Sequence, residues 1–236
     1  MPKERISRIV VLTGAGISAE SGIPVFRGAD GLWQGHRVED VATAEAVAFN
    51  RPVVNDFFNK RRREVEKVAP NSAHRALVEW EQACGDDFLL VTQNIDPLHE
   101  RAGSHNLIHM HGELQRIRCD SCGESAPFFA DALAQTLCPV CGRAGGLRPD
   151  VVLFGEMPMR MEEVFMALSA CDLFVAIGTS GAVYPAAGFV DLANQAGAYT
   201  VEINAAETER SPTFHERLTG RAGEVVPDFV ASCFKL

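Results

Sequence analysis

Four short, nearly continuous apolar runs punctuate the chain: Ile9-Val10-Val11-Leu12, Phe88-Leu89-Leu90-Val91, Leu173-Phe174-Val175-Ala176-Ile177 and Tyr199-Thr200-Val201-Glu202-Ile203. Runs this short, rich in β-branched residues and not strictly alternating, have the pattern of strands buried on both faces. Around them lie stretches of helical length and composition, Ala73 to Cys84, Glu162 to Ala170 and Ala186 to Ala196. Strands alternating with helices predict an α/β fold with a parallel sheet covered on both sides. Two stretches break the alternation. Residues 36–75 look helical and contain Lys60-Arg61-Arg62-Arg63, and residues 116–147 hold four cysteines in two pairs. Both are expected to be inserts that form a smaller lobe.

Composition narrows the class. The chain has 236 residues, 47% apolar and 22% charged, which predicts a globular protein of one large domain with a modest insert. No apolar run approaches the roughly 18 residues that span a bilayer, so no membrane association is expected. The first residues lack the long apolar stretch of a secretory signal, which makes the cytoplasm the simplest address. In that compartment seven cysteines point to metal ligands or buried thiols more than to disulfides. The net charge of −9 is uneven: residues 1–75 carry 12 basic and 9 acidic side chains, and the rest 10 and 22. That balance argues against general nucleic-acid binding. A monomer is the expected state.

The cysteine spacing is specific. Cys119-x2-Cys122, fifteen residues, then Cys138-x2-Cys141 is the spacing of a zinc ribbon. Four thiolates would fill the tetrahedral sphere of one zinc ion, making it structural. The competing reading is a pair of redox motifs or four unrelated thiols. Cys84, Cys171 and Cys233 lie among apolar residues and are expected in the core.

After the first strand comes Gly14-Ala15-Gly16-Ile17-Ser18-Ala19, similar to the dinucleotide-binding fingerprint G-x-G-x-x-G/A. Alone it is as well read as an ordinary strand-to-helix turn. Glu39 and Asp40 stand at the distance of the usual ribose-binding acid but follow no clear strand, which disfavours a hydride-transfer dehydrogenase.

The rest of the chain carries more specific motifs: Glu20-Ser21-Gly22-Ile23-Pro24-Val25-Phe26-Arg27, then Thr92-Gln93-Asn94-Ile95-Asp96, His109-Met110-His111-Gly112-Glu113, the cysteine pairs, Phe154-Gly155-Glu156, Gly178-Thr179-Ser180 and Glu202-Ile203-Asn204. In this order, over nearly the whole chain, these motifs resemble the sirtuin family of NAD-dependent protein lysine deacylases. The resemblance implies a Rossmann-like NAD-binding domain over residues 1–35, 76–115 and 148–236. It also implies a small lobe made of the helical insert 36–75 and the zinc ribbon 116–147. NAD would be consumed: the acyl oxygen of a modified lysine attacks the nicotinamide ribose as nicotinamide leaves. The implied products are free lysine, nicotinamide and O-acyl-ADP-ribose, with deacetylation the primary activity.

The resemblance also implies roles. His111 is the general base, and Asn94 assists at the reacting centre. Gly14, Ala15 and Gly16 admit the phosphates, with Ser18 and Arg27 as donors, and Phe26 shields the ribose. Gln93 takes the ribose, Asn94, Ile95 and Asp96 form the nicotinamide pocket, and Gly178, Thr179, Ser180, Asn204 and Ala222 complete the nucleotide site. Phe154, Gly155 and Glu156 pair with the substrate backbone. Without the motif, Asp96 would be read as a cap on the helix beginning near Pro97. His109 and His111, separated by one residue, are expected to face the same side.

Acyl preference is the open point. Sirtuins that prefer acidic acyl groups carry a Tyr and, three residues later, an Arg in the helical insert, with a small Ala sixteen residues before the Tyr. Ala42 and Arg61 match, but Phe58 stands at the tyrosine position. The expectation is deacetylation with weakened desuccinylation. Three rival classes stand beside it: an NAD-dependent oxidoreductase, a non-catalytic zinc-ribbon module and a protein ADP-ribosyltransferase.

Overall fold

Ile9–Thr13 (β1) is buried at every position, as its continuous apolar run requires. In the computed structural model, which describes residues 6–25, 32–33 and 35–234, β1 turns into a short helix α1 (Ala15–Ser18). A hairpin of β2 (Leu32–Trp33) and β3 (His36–Arg37) then leads to α2 (Val38–Val41), α3 (Ala44–Val65) and α4 (Ser72–Cys84). Next come β4 (Phe88–Thr92), α5 (Leu98–Ala102), β5 (Leu107–His109), β6 (Gly112–Cys119), β7 (Ser125–Pro127) and β8 (Leu147–Val151). The chain continues through α6 (Met161–Leu168), β9 (Leu173–Ile177), α7 (Phe189–Gln195), β10 (Tyr199–Asn204), β11 (Glu216–Thr219) and α8 (Ala222–Cys233).

The four strands predicted from apolar runs occupy the middle of a six-stranded parallel sheet of order β11-β10-β9-β1-β4-β5. The two edge strands carry no such signal. β11 alternates half-buried and exposed residues, and β5 has only three residues. An edge strand is covered less than a central one, so it needs less apolar sequence. Alternate residues of β1 serve two cores. Ile9 and Val11 pack with Leu77, Trp80, Val226 and Phe229 from α4 and α8, and Val10 and Leu12 pack with Val164, Phe189 and Val190 from α6 and α7. Burying each such side chain stabilises the fold by about 1.5–3 kcal/mol. From β1 the sheet runs one way through β4 and β5 and the other way through β9, β10 and β11. The switch point between β1 and β9 opens a crevice at the strands' C-terminal ends.

The second sheet is antiparallel, order β7-β6-β8, and reaches beyond the predicted 116–147 segment at both ends. β6 starts at Gly112, directly after His111, and β8 ends at Val151, directly before Val152-Leu153-Phe154. The helical insert also ends before residue 75, because α4 begins at Ser72 and packs on the large sheet. α3 lies against the second sheet through Val54, Phe57, Phe58, Leu114 and Val151. It is two helices joined at Asn50, whose φ of −146° and ψ of 50° are not helical, and Pro52 sits in the first turn of the second part, where a missing N–H costs little.

The Lys60–Arg63 run divides by position. Lys60 and Arg63 are half-exposed and pair with Asp56 and Asp131. Arg62 is 1% exposed and donates to the carbonyls of Leu114 and Ala130 and to Asn59 Oδ1, locking α3 to the second sheet. A buried arginine in a run of four basic residues has no signature in the sequence.

Candidate active site

A cavity of about 1230 Å³ lies at the switch point, between the C-terminal strand ends and the α3 side of the second sheet. Gly14, Ala15 and Gly16 line it, as do Gln93, Asn94, Ile95, Asp96 and His111. So do Gly178, Thr179, Ser180 and Asn204 at the ends of β9 and β10, and Ala42, Phe58, Arg61, Phe154, Gly155 and Glu156 on the small-lobe side. Phe26 and Arg27 lie outside the described residues.

The glycine turn has a second reason to be glycine. A Cβ on Gly16 would stand 2.6 Å from Gly178 Cα, and one on Gly14 2.8 Å from the Gly178 carbonyl oxygen. The β1 and β9 turns therefore cross backbone to backbone, and Gly16 N–H donates to Gly178 O at 2.9 Å. Two sequence expectations change here. Ser18 is fully buried and does not line the cavity: its hydroxyl donates to Asp96 Oδ2 at 3.0 Å and lies 3.3 Å from Asn94 Nδ2, so it holds two site residues together. Ala222 opens α8 with its side chain packed in the core, and it too does not line the cavity.

His109 and His111 differ in what they face: His111 lines the cavity and His109 does not, with Met110 fully buried between them. His111 Nδ1 is 3.0 Å from the Gln93 carbonyl. That acceptor requires the proton on Nδ1 and leaves the Nε2 lone pair available. Burial pushes the His111 pKa down and the Gln93 contact resists; the net is a lowering, so the ring is neutral at pH 7. His109 is the opposite case. Its Nδ1 meets the Asn94 carbonyl at 3.1 Å and its Nε2 meets Glu100 Oε1 at 2.8 Å. Burial alone would lower it, but the Glu100 contact and charge outweigh burial and raise its pKa.

Asn94 and Asp96 are both buried. Asn94 Nδ2 donates to the Gly14 carbonyl at 3.1 Å, tying the β4 loop to the glycine turn. Asp96 Oδ1 accepts the Leu98 N–H at 3.1 Å, so it does steady the start of α5 while lining the cavity. Burial raises its pKa against the Leu98 and Ser18 hydrogen bonds and the His109 charge.

Behind this loop lies a polar chain that carries no recognisable motif. Thr13 Oγ1 donates to Thr92 Oγ1 at 2.8 Å and meets His99 Nε2 at 2.9 Å, and Thr92 Oγ1 accepts the Asn94 N–H. The rings of His99 and His74 pack 4.9 Å apart, both fully buried. Burial, reinforced by Arg75, lowers His74 to about 4, and burial, reinforced by His74 and His109, holds His99 well below 6.5. In the unfolded chain both bind a proton below about pH 6.5, whereas the native imidazoles stay neutral. Stability therefore falls as pH falls from about 6.5 toward 4, by about 3 kcal/mol from His74 alone. Melting temperature measured against pH is expected to drop across that window, and more shallowly in His74→Gln.

On the small-lobe side, Phe58 is 1% exposed and packs edge-on against Phe57 and Trp33, with centroids at 5.2 and 5.9 Å. Arg61 stacks over the Phe57 ring at 3.7 Å and donates to the Phe57 carbonyl at 3.0 Å. Burial lowers its pKa, against the charges of Glu64 and Asp56.

The cysteine pairs come together as their spacing requires. The four Sγ atoms lie within 4.8 Å of one another, with Cys119–Cys141 and Cys122–Cys138 at 3.9 Å. Tetrahedral zinc at about 2.3 Å from each thiolate sets sulfurs about 3.8 Å apart, so the cluster fits that ion. The Val140 and Cys141 N–H groups point at Cys138 Sγ, as suits a thiolate.

A family model described as the Sir2 family matches residues 14–185. The chain belongs to the Sir2 family. The Sir2 chain is 54% identical over 230 residues to a curated relative named NAD-dependent protein deacylase from Salmonella typhimurium, covering 97% of this chain and 84% of that one. It is 55% identical over 224 residues to a protein of the same name from Bdellovibrio bacteriovorus, covering 94% of each. Among solved structures, a Sir2 homologue in complex with NAD superposes with a TM-score of 0.87 at 40% identity, covering 98% of this chain and 90% of that chain. The Sir2 cavity suits a dinucleotide: it pairs backbone-exposing glycine turns with the polar groups of Thr179, Ser180 and Asn204 at the strand ends.

Proposed function

We propose that this Sir2 chain is an NAD-dependent protein lysine deacylase that acts first as a deacetylase, releasing nicotinamide and O-acetyl-ADP-ribose, with His111 as general base. The observation that carries the reading is a neutral His111, its Nδ1 proton held by the Gln93 carbonyl, in one cavity with the glycine turns and the Ala42–Phe58–Arg61 wall. NAD supplies the electrophilic ribose carbon and the nicotinamide leaving group. The glycine turns, Thr179, Ser180 and Asn204 hold its phosphate and adenosine parts. Asn94 and Asp96 orient the nicotinamide end, and Nε2 of His111 takes a ribose hydroxyl proton. The small lobe and the large domain close on the reactants from two sides, and the acyl-lysine peptide adds as a strand along the Phe154–Glu156 segment and the residues that lead into it from Val152. Mass spectrometry of the peptide and nucleotide products tests the reading. Nicotinamide, deacetylated peptide and O-acetyl-ADP-ribose in equal amounts are expected, and an ADP-ribosylated peptide or NADH as main product overturns it.

Arg61 and Ala42, both lining the cavity, also support a weaker second activity on acidic acyl groups. The carboxylate would meet a guanidinium but no phenol, because Phe58 has no donor. A hydrogen bond to a charged group is worth about 1.5–3 kcal/mol, or roughly 10- to 150-fold. Phe58→Tyr is expected to raise kcat/KM on succinyl-lysine peptide by at least about 10-fold with little change on acetyl-lysine. A wild type that already prefers succinyl-lysine would overturn this assignment.

A further inference from the structure

Glu156 lines the cavity at the end of the segment offered to the substrate, and its carboxylate is held by Arg148. Arg148 Nη1 donates to Glu156 Oε1 at 2.7 Å and Nη2 to Oε2 at 2.9 Å, a two-point pair with the guanidinium side chain 9% exposed. The same Nη2 reaches the Val151 carbonyl at 3.0 Å, and the same Oε2 accepts the Leu153 N–H at 2.9 Å. The ion pair thus grips the backbone on both sides of Val152. Around it, Val152 N–H donates to the carbonyl of His111 at 2.8 Å, and Phe154 N–H to that of Ala42 at 2.9 Å. Gly155 comes next with φ +89°, a turn that returns the chain so that Glu156 N–H can bond the Leu153 carbonyl.

We infer that the Arg148–Glu156 pair is the positioning device for the substrate-pairing edge: it fixes the phase of Val152–Gly155 relative to His111, and so sets peptide affinity without touching the peptide. This rests on the reading that the acyl peptide adds along Val152–Gly155. Removing the charge of Glu156 leaves a buried guanidinium without its counter-ion, and the Leu153 N–H loses a charged acceptor. The edge would then sample more than one arrangement. A strand that binds through its backbone loses affinity with each hydrogen bond that falls out of phase. The cysteine-bearing sheet feeds into the same device, since Arg148 lies opposite Arg118 and Leu147 opposite Cys119 across β6 and β8. The glycine turns are held by other contacts: Gly14, Gly16 and Gly178 pack backbone to backbone, and Asn94 Nδ2 donates to the Gly14 carbonyl.

The test compares wild type, Glu156→Gln and Glu156→Asp with an acetyl-lysine peptide, with melting temperature and zinc content measured on each. For Glu156→Gln, KM for the peptide and its directly measured Kd are expected to rise about 10-fold or more. KM for NAD and kcat at saturating peptide should stay within about 2-fold, and Glu156→Asp should recover most of the peptide affinity. An unchanged peptide Kd in Glu156→Gln overturns the inference. So does an equal rise in the KM of both substrates, which marks a general structural loss. A peptide N-methylated at the amide next to the acetyl-lysine separates the two layers. If wild type binds it as well as the parent peptide, the strand-addition reading itself fails; if it binds worse while Glu156→Gln binds the parent normally, only the positioning role fails.

Discussion

Replacing His111 with alanine is expected to lower kcat/KM on an acetyl-lysine peptide by about 10²–10⁴-fold, the range that positioned general bases contribute. The fold should be unaffected, because His111 is only half-buried and its side-chain hydrogen bond, to the Gln93 carbonyl, replaces a contact water can make. Binding of NAD should survive for the same reason, since the nucleotide end of the cavity is built by the glycine turns and the ends of β9 and β10. The wild-type pH profile carries a second signature. Burial lowers the His111 pKa, so the acid limb of kcat/KM should bend below pH 6.5. A His111→Ala enzyme within 10-fold of wild type, or an acid limb above 6.5, would remove His111 from the role of base.

Loss of the metal should be felt by the fold as well as by the chemistry. Metal binding at four-thiolate or mixed zinc-finger sites is worth about 10–16 kcal/mol, as much as the whole stability of an ordinary domain. Among the described residues, a small apolar cluster of Ile117, Ala132, Leu147 and the buried Cys119 and Cys138, with Phe128 against it, backs the knuckles. Cys119→Ser, or stripping the metal with a chelator, is expected to unfold β6–β8 beyond the reach of α3 and to abolish activity on peptide. The readouts are the metal content of purified protein, one zinc per chain, the thiol count before and after chelation, and the melting temperature. Chelation that leaves the melting temperature unchanged would refute a structural role for the ion.

How much of this was legible beforehand depended on the kind of signal each residue sends. Central strands such as β1 and β9 are buried on both faces, so their sequences are unmistakable apolar runs, whereas edge strand β11 reads Glu-Arg-Leu-Thr and sends none. The cysteine spacing carries its own geometry, and the four sulfurs converge as that spacing demands. His111 and the glycine turn were readable through their neighbours in sequence. The hidden features depend on partners far along the chain. Ser18 reads as a ligand donor in sequence, and only the fold shows its hydroxyl donating to Asp96. Nothing in the sequence around Glu156 shows that Arg148, eight residues earlier, donates to both its carboxylate oxygens. Thr13, Thr92 and His99 are unremarkable singly, and only strand register joins them behind Asn94. Arg62 looks like one of four solvated cations until α3 turns it inward.

The backbone crossing at Gly16 and Gly178 limits how this enzyme can be changed. Each turn is the other's ceiling, and a Cβ on Gly178 would stand 2.5 Å from Ile17 N, so a methyl added on either side meets main chain and no side chain that can be trimmed to make room. A side chain there has to displace main chain, so this end of the cavity tolerates little change. Altered preference for the nucleotide has to be sought in the loop after β10, where Ala205, Ala206, Glu207 and Glu209 line the cavity with side chains that can vary in size and charge.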